Sequence, residues 1–381
     1  MKKTISLLAL SILLCGLGFS VRAEAAASVQ EIMENMTLRQ KVGQLFIVRP
    51  DALDFSQTQE QIDNVKEKGV TELTEDMRAA LEEYPVGGVA LFGKNIESPE
   101  QLRLFTSQLK TAEALPLFLA VDEEGGLVAR LANSKSFDLP KYPSASETED
   151  AGQMGRTIGA YLKDYGFNMD FAPVADVNSN PDNPVIGKRA FSNDAQVVRQ
   201  KAAAMAEGLQ ENGILPVYKH FPGHGDTAED SHAELAVVHK TLEQLQELEW
   251  VPYENQKLPA VMVAHVAAPE AGVEGPASLS HTAITGWLRG LLGHEGLVIT
   301  DSLSMSAITN AYTPSEACIQ AIEAGVDILL MPGSLREAMD GVEDAVKSGR
   351  ISEERIDESV RRILTAKQSM GLLGTESDYV S

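Results

Sequence analysis

The chain has 381 residues, 55 acidic against 32 basic, and a formal net charge of −23. That balance argues against a phosphate backbone or an anionic membrane surface as partner, so nucleic-acid binding is not expected. With only two cysteines, Cys15 and Cys318, the composition also excludes a disulfide-rich scaffold and leaves stability to a packed core.

Taken from the start, Lys2 and Lys3 precede an apolar run from Ile5 to Phe19, and Ala23, Ala25 and Ala27 offer small cleavage residues. This is the three-part pattern of a secretory signal peptide over residues 1–27. The run is short for a bilayer span, so removal is expected, with no stable membrane insertion of the mature chain. Leu14 stands before Cys15 where a lipoprotein site would place a small residue, which argues against lipid anchoring. An exported protein, periplasmic or extracellular, is therefore expected. Residues 28–381 then form one large domain with Cys318 as the sole cysteine, and a monomer is expected.

Eight short apolar runs rich in Val, Ile, Leu and Phe follow in chain order. They are Gln44 to Val48, Gly88 to Phe92, Pro116 to Val121, Phe167 to Val177, Leu215 to Lys219, Ala260 to His265, Gly296 to Thr300 and Val326 to Met331. Helical spacing occupies several intervals: Ala195 to Gln210, Leu242 to Glu249, Ile284 to Leu292, Ser315 to Ala324 and Ser352 to Met370. Alternating strand and helix predicts parallel strands with crossover helices, and eight repeats close naturally into a single (β/α)8 TIM-type barrel. An open doubly wound sheet is the alternative; no GxGxxG or P-loop fingerprint accompanies the first strand to favour it. The charged stretch Asp51 to Asp76 reads as a surface excursion before the second unit.

Polar residues fall at the carboxyl ends of these runs: Asp122, Asp176, Lys219 with His220, His265 and Asp301. In such a barrel that rim holds the active site. One aspartate at a strand end is most often a helix cap or turn residue, but five such coincidences point to a site. The densest stretch is KHFPGHGDTAEDSH, Lys219 to His232. His220 and His224 have the i, i+4 spacing of a zinc-binding helix, but Pro222, Gly223 and Gly225 deny that helix, so no metal is expected. Asp230 and His232 are two apart, and a carboxylate beside an imidazole suits a general acid/base near neutral pH. Asp301, in LVITDSLSM, emerges from a buried strand with little freedom, as a nucleophile requires.

These motifs resemble glycoside hydrolase family 3, in particular its β-N-acetylglucosaminidases that trim cell-wall muropeptides. The matching segments are VDEEGGLVARL, FAPVADVNSNPDNPVIGKRAFS, KHFPGHGDTAEDSH, VMVAHV and VITDSLSM, in the family's order. The resemblance implies Asp301 as nucleophile, His232 as acid/base and Asp230 as its dyad partner. It implies sugar binding by Asp122, Arg130, Arg189, Lys219 and His220, with His265 and Met305 lining the pocket. The DSH ending is the feature that separates this branch from family 3 β-glucosidases, whose acid/base is typically a glutamate from a second domain, and none is expected after Met370.

The resemblance thus implies a retaining exo-β-N-acetylglucosaminidase needing no cofactor or metal, acting on small carbohydrates such as peptidoglycan fragments. The leader departs from the family's best-known cytoplasmic recycling members and favours turnover of wall material outside the inner membrane. Three alternatives stay open: a phosphorylase giving a sugar 1-phosphate, a β-glucosidase, and a non-catalytic glycan-binding protein.

Overall fold

The computed structural model describes residues 28–228, 235–254 and 256–374. The expected leader lies outside them, as do Asp230 and His232. One contiguous buried cluster extends from Ile32 to Leu364. Among the described residues no helix is long and apolar enough to cross a membrane.

The strands are short and apolar: β1 Phe46–Val48, β2 Gly88–Ala90, β3 Phe118–Val121, β4 Met169–Asp170, β5 Leu215–Pro216, β6 Tyr218–Phe221, β7 Ala260–Val263, β8 Leu297–Thr300 and β9 Leu329–Leu330. Every residue in them is buried, the mark of parallel strands covered on both faces. Helices supply the cover. The helix Ala195–Gln210 turns Val198, Ala202, Met205 and Leu209 inward at three- and four-residue spacing, and Asp194 caps its first amides.

All pairings among these strands are parallel, in a six-stranded sheet ordered β9-β1-β2-β3-β4-β5 and a three-stranded sheet ordered β8-β7-β6. β5 and β6 are halves of one segment. The two sheets meet through single bridges, Val174 to Lys219 on one side and Ile299 to Ile328 on the other. The expected eight strand positions are present, but as two linked sheets and not as one continuously hydrogen-bonded barrel. Prolines explain part of the interruption: Pro173 and Pro216 have no N–H to give at the junction. A register shift between Val261 and Val263 breaks the regular pairing of β7 with β6.

Three expectations need correction. Gln44 ends the helix Leu38–Gln44 and does not begin a strand. The helical stretches at Leu245–Glu249 and Thr282–Leu291 are π-helices, and Trp250, just after the first, packs against Trp287 in the middle of the second with ring centroids 5.4 Å apart and tilted by 47°. The segment Asp51 to Asp76 is no mere surface excursion. Asp51 is fully buried, accepting from Asn95 Nδ2 at 2.8 Å and from the Val70 amide at 3.1 Å, with Lys94 Nζ at 3.3 Å. Leu53, Ile62 and Leu73 are buried with it. A run dense in acids reads as solvated, and only the long-range partners Lys94 and Asn95 reverse that reading.

Candidate active site

The strands' carboxyl ends open into a cavity of about 780 Å³. Its wall takes Arg49 after β1, Phe92 and Lys94 after β2, Asp122 after β3, His220 on β6, Met262 on β7, Asp301 after β8 and Met331 after β9. Elements far apart in sequence thus converge because parallel strands bring all their carboxyl ends to one rim.

One side of the cavity is an ion network. Lys219 Nζ lies 2.7 Å from both Asp122 Oδ1 and Glu124 Oε1. Arg189 grips Glu124 with two parallel bonds, Nε to Oε2 at 2.9 Å and Nη2 to Oε1 at 2.7 Å. Burial opposes ionisation of Glu124, yet the charges of Arg189 and Lys219 outweigh it and hold the carboxyl well below its ordinary pKa. Burial likewise opposes the Lys219 ammonium, and Asp122 with Glu124 raises its pKa nonetheless. Arg130, on the same wall, reaches Asp122 only at 3.5 Å. Beneath lies Asp170, fully buried, accepting from the Glu123 amide at 2.9 Å; burial raises its pKa well above the usual carboxylate range.

Asp301 occupies the turn after β8. Its own amide donates to Val263 O at 2.9 Å, and its Oδ1 accepts the Ser302 amide at 2.7 Å. Ser302 is fixed in turn by His265, whose Nε2 meets its carbonyl at 2.8 Å while Nδ1 meets Ser278 Oγ at 2.6 Å. His265 is fully buried and forms no part of the cavity wall, so its expected place as a lining residue is corrected: it braces the Asp301 turn from behind. Met305 is on the wall. Further along, Ser304 Oγ donates to Asp63 Oδ1 at 3.0 Å, and Asp63 also holds Arg49 at 3.0 Å.

His220 also lines the cavity. Its Nδ1 lies 2.7 Å from Asp176 Oδ2, while Asp176 Oδ1 takes the His224 amide at 2.8 Å. His224, also on the wall, meets Thr227 Oγ1 through Nδ1 at 2.8 Å; burial lowers its pKa. Asn183 ties this stretch down by donating to His224 O at 2.8 Å and Thr227 O at 3.0 Å. The backbone passes so close to Val177 O that a Cβ at position 225 would clash, which explains the glycine. Among the described residues no group of three or more His, Cys, Asp or Glu side chains is arranged to hold a metal ion.

The structure therefore gathers Asp122, Arg130, Arg189, His220, Met305 and Asp301 on one cavity, with Lys219 just behind it. Asp230 and His232 belong to residues 229–234, outside the described residues. Sequence reasoning passed over Glu124, although it stands two residues after Asp122 in a motif already singled out. It also passed over Arg49 and Asp63, for which no local signal exists: Asp63 and Ser304 are 241 positions apart. Chemically, the cavity offers two strand-end carboxylates, Asp301 and the ion-paired Asp122, among charged donors and acceptors, an arrangement suited to a polyhydroxylated ligand.

Residues 37–366 match the family model described as the glycosyl hydrolase family 3 N terminal domain. Beta-hexosaminidase A of Pseudoalteromonas piscicida is 32% identical over 337 residues, 79% of this chain and 56% of that protein. Beta-hexosaminidase LpqI of Mycobacterium tuberculosis is 36% identical over 309 residues, 77% of this chain and 78% of the relative. The solved structure of a glycoside hydrolase family 3 β-N-acetylglucosaminidase from Paenibacillus sp. is similar with a TM-score of 0.79 and 38% identity, over 88% of this chain and 63% of that one. The chain thus spans less than two thirds of the length of the Pseudoalteromonas and Paenibacillus proteins.

Proposed function

Because the chain belongs to glycoside hydrolase family 3, we propose that it is a retaining exo-β-N-acetylglucosaminidase that removes terminal β-linked N-acetylglucosamine from peptidoglycan fragments. The observation that carries the reading is Asp301, a carboxylate at a strand end on the wall of a cavity that Asp122 and Arg189 also line, with Lys219 and Glu124 bound to them behind it. The names of the Pseudoalteromonas, Mycobacterium and Paenibacillus relatives support the sugar specificity. On this reading the eight strand positions form one (β/α)8 barrel with the site at its carboxyl rim, and residues 1–27 direct export.

The sugar lies against Asp122, Arg130, Arg189, Lys219 and His220, which supply fixed donors and acceptors for its hydroxyls and amide. Asp301 attacks the anomeric carbon while His232 protonates the departing oxygen. Water, activated by the same imidazole, then cleaves the glycosyl ester with net retention. Asp230 keeps His232 in the required tautomer and raises its proton affinity. The steps call on the chain's own residues throughout.

Turnover of aryl β-N-acetylglucosaminide and aryl β-glucoside, each with and without inorganic phosphate, tests the proposal, with the first-formed anomer followed by NMR. The expected product is free N-acetylglucosamine released first as the β-anomer, with the glucoside at least about 100-fold slower. A sugar 1-phosphate, an α-anomer or a preference for the glucoside would each refute it.

A further inference from the structure

Resting on that reading of the site, we propose that Asp176 is a positioning residue that locks the His220 imidazole with its Nδ1–H turned inward, so that Nε2 is the atom presented to the sugar. Asp176 is fully buried and forms no part of the cavity wall, so it acts through another group. Its carboxylate collects three N–H groups: the His220 amide at 3.2 Å, His220 Nδ1 at 2.7 Å and the His224 amide at 2.8 Å. A carboxylate accepts and does not donate, so the short contact places a hydrogen on Nδ1 whether the ring is neutral or charged. The other ring nitrogen is then the one available on the wall that also carries Asp301, Phe171 and Met262.

Two further observations support a dedicated role. The cations of this region, Lys219 and Arg189, are bound to Asp122 and Glu124, so the Asp176 carboxylate draws its hydrogen bonds from the His220–His224 stretch. Its pKa nonetheless lies below the ordinary value: burial opposes ionisation, but the His220 charge and hydrogen bond outweigh it. The ring of His224 also packs edge-on against that of His220, centroids 5.9 Å apart, limiting rotation. One carboxylate thus fixes the ring and the backbone that carries it, much as an outer carboxylate orients a ligating histidine in metal sites.

The test begins with the unaltered protein. In ¹⁵N-histidine-labelled enzyme, with His220 signals assigned by their loss in His220→Gln, Nδ1 is expected to carry the proton; an unprotonated Nδ1 with a protonated Nε2 would overturn the proposal. Kinetics on aryl β-N-acetylglucosaminide supply the second readout. Asp176→Asn is expected to lower kcat/KM about 10- to 100-fold, mainly through KM. The double variant Asp176→Asn/His220→Gln should be no worse than His220→Gln alone, within about 3-fold. Losses that multiply in the double variant would show that Asp176 acts independently of His220. Should the Asp176→Asn chain not fold, the tautomer measurement still decides. A wild-type enzyme with the expected tautomer but no N-acetylglucosaminide turnover would instead refute the functional reading alone.

Discussion

Removing the carboxylate of Glu124 would leave the buried Lys219 with Asp122 as its counterion and take from Arg189 the carboxylate it grips. Breaking a buried pair by deleting one partner typically costs about 3–5 kcal/mol, so Glu124→Gln should lower Tm measurably as well as weaken substrate binding. The sign with pH follows from the depressed folded pKa. Stability from Glu124 is fully present above its unfolded value near 4.5 and is lost as pH falls below it. The Tm gap between wild type and Glu124→Gln should therefore be wide at pH 7 and shrink below pH 4.5; a gap independent of pH would contradict the assignment. For the chemistry, Asp301→Ala should lose about 10⁴-fold or more in kcat with an unchanged fold by circular dichroism, whereas His232→Ala should spare activated aryl glycosides far more than poor leaving groups. Equal losses for both leaving groups would argue against the acid role of His232. At this scale the sequence exposed residues that carry their own context, such as Asp122 and Asp301 at the ends of apolar runs. It hid Arg49 and Asp63, and it showed His265 but not that its ring turns inward to Ser278 and Ser302, because these places depend on partners farther along the chain.

Elements were more legible than their joints. Each strand announces itself as a short apolar run because both its faces are covered, and the helix Glu353–Ser369 by its spacing and the Ser352 cap. Register shifts, the proline interruptions between sheets and the π-helical turns depend on three-dimensional fit and leave no periodic trace. Lys367 shows the same limit within one helix. Helical spacing puts it on the buried face with Val360, Ile363 and Leu364, but its charge gives no sign of the partners that hold it there: it is fully buried, donating to Gln44 Oε1 at 2.7 Å and Gly87 O at 3.1 Å near the Phe118 ring. Burial pulls its pKa down to about 7, against the attraction of Glu113, whose own carboxyl burial pushes up to about 7. Between about pH 7 and 10.5 the unfolded chain holds a proton that folded Lys367 does not, so this group's contribution to stability rises with pH across that window. Lys367→Met should accordingly raise Tm by about 2–4 °C at pH 6 and lose that advantage toward pH 10. Thermal melts at the two pH values check it, and an advantage that grew with pH would contradict the burial argument.

For the molecule as a whole, the buried cluster from Ile32 to Leu364 carries stability without any disulfide among the described residues, where Cys318 is fully buried and its thiol pKa is pushed up by burial. Alkylation of Cys318 should therefore be negligible in the native protein at pH 8 and complete in strong denaturant; rapid native labelling would show that the core opens locally. The strands' common direction delivers Asp301 and its surroundings to one cavity, and the retaining mechanism proposed there requires a bond that can be caught. Incubation with a fluorinated N-acetylglucosaminyl donor that forms the ester quickly and hydrolyses it slowly, followed by peptide mass analysis, tests that requirement most directly. The mass of one sugar on the peptide containing Asp301, with loss of activity in step, is the predicted result. A label on a different carboxylate, or continued turnover with no labelled peptide at all, would contradict it.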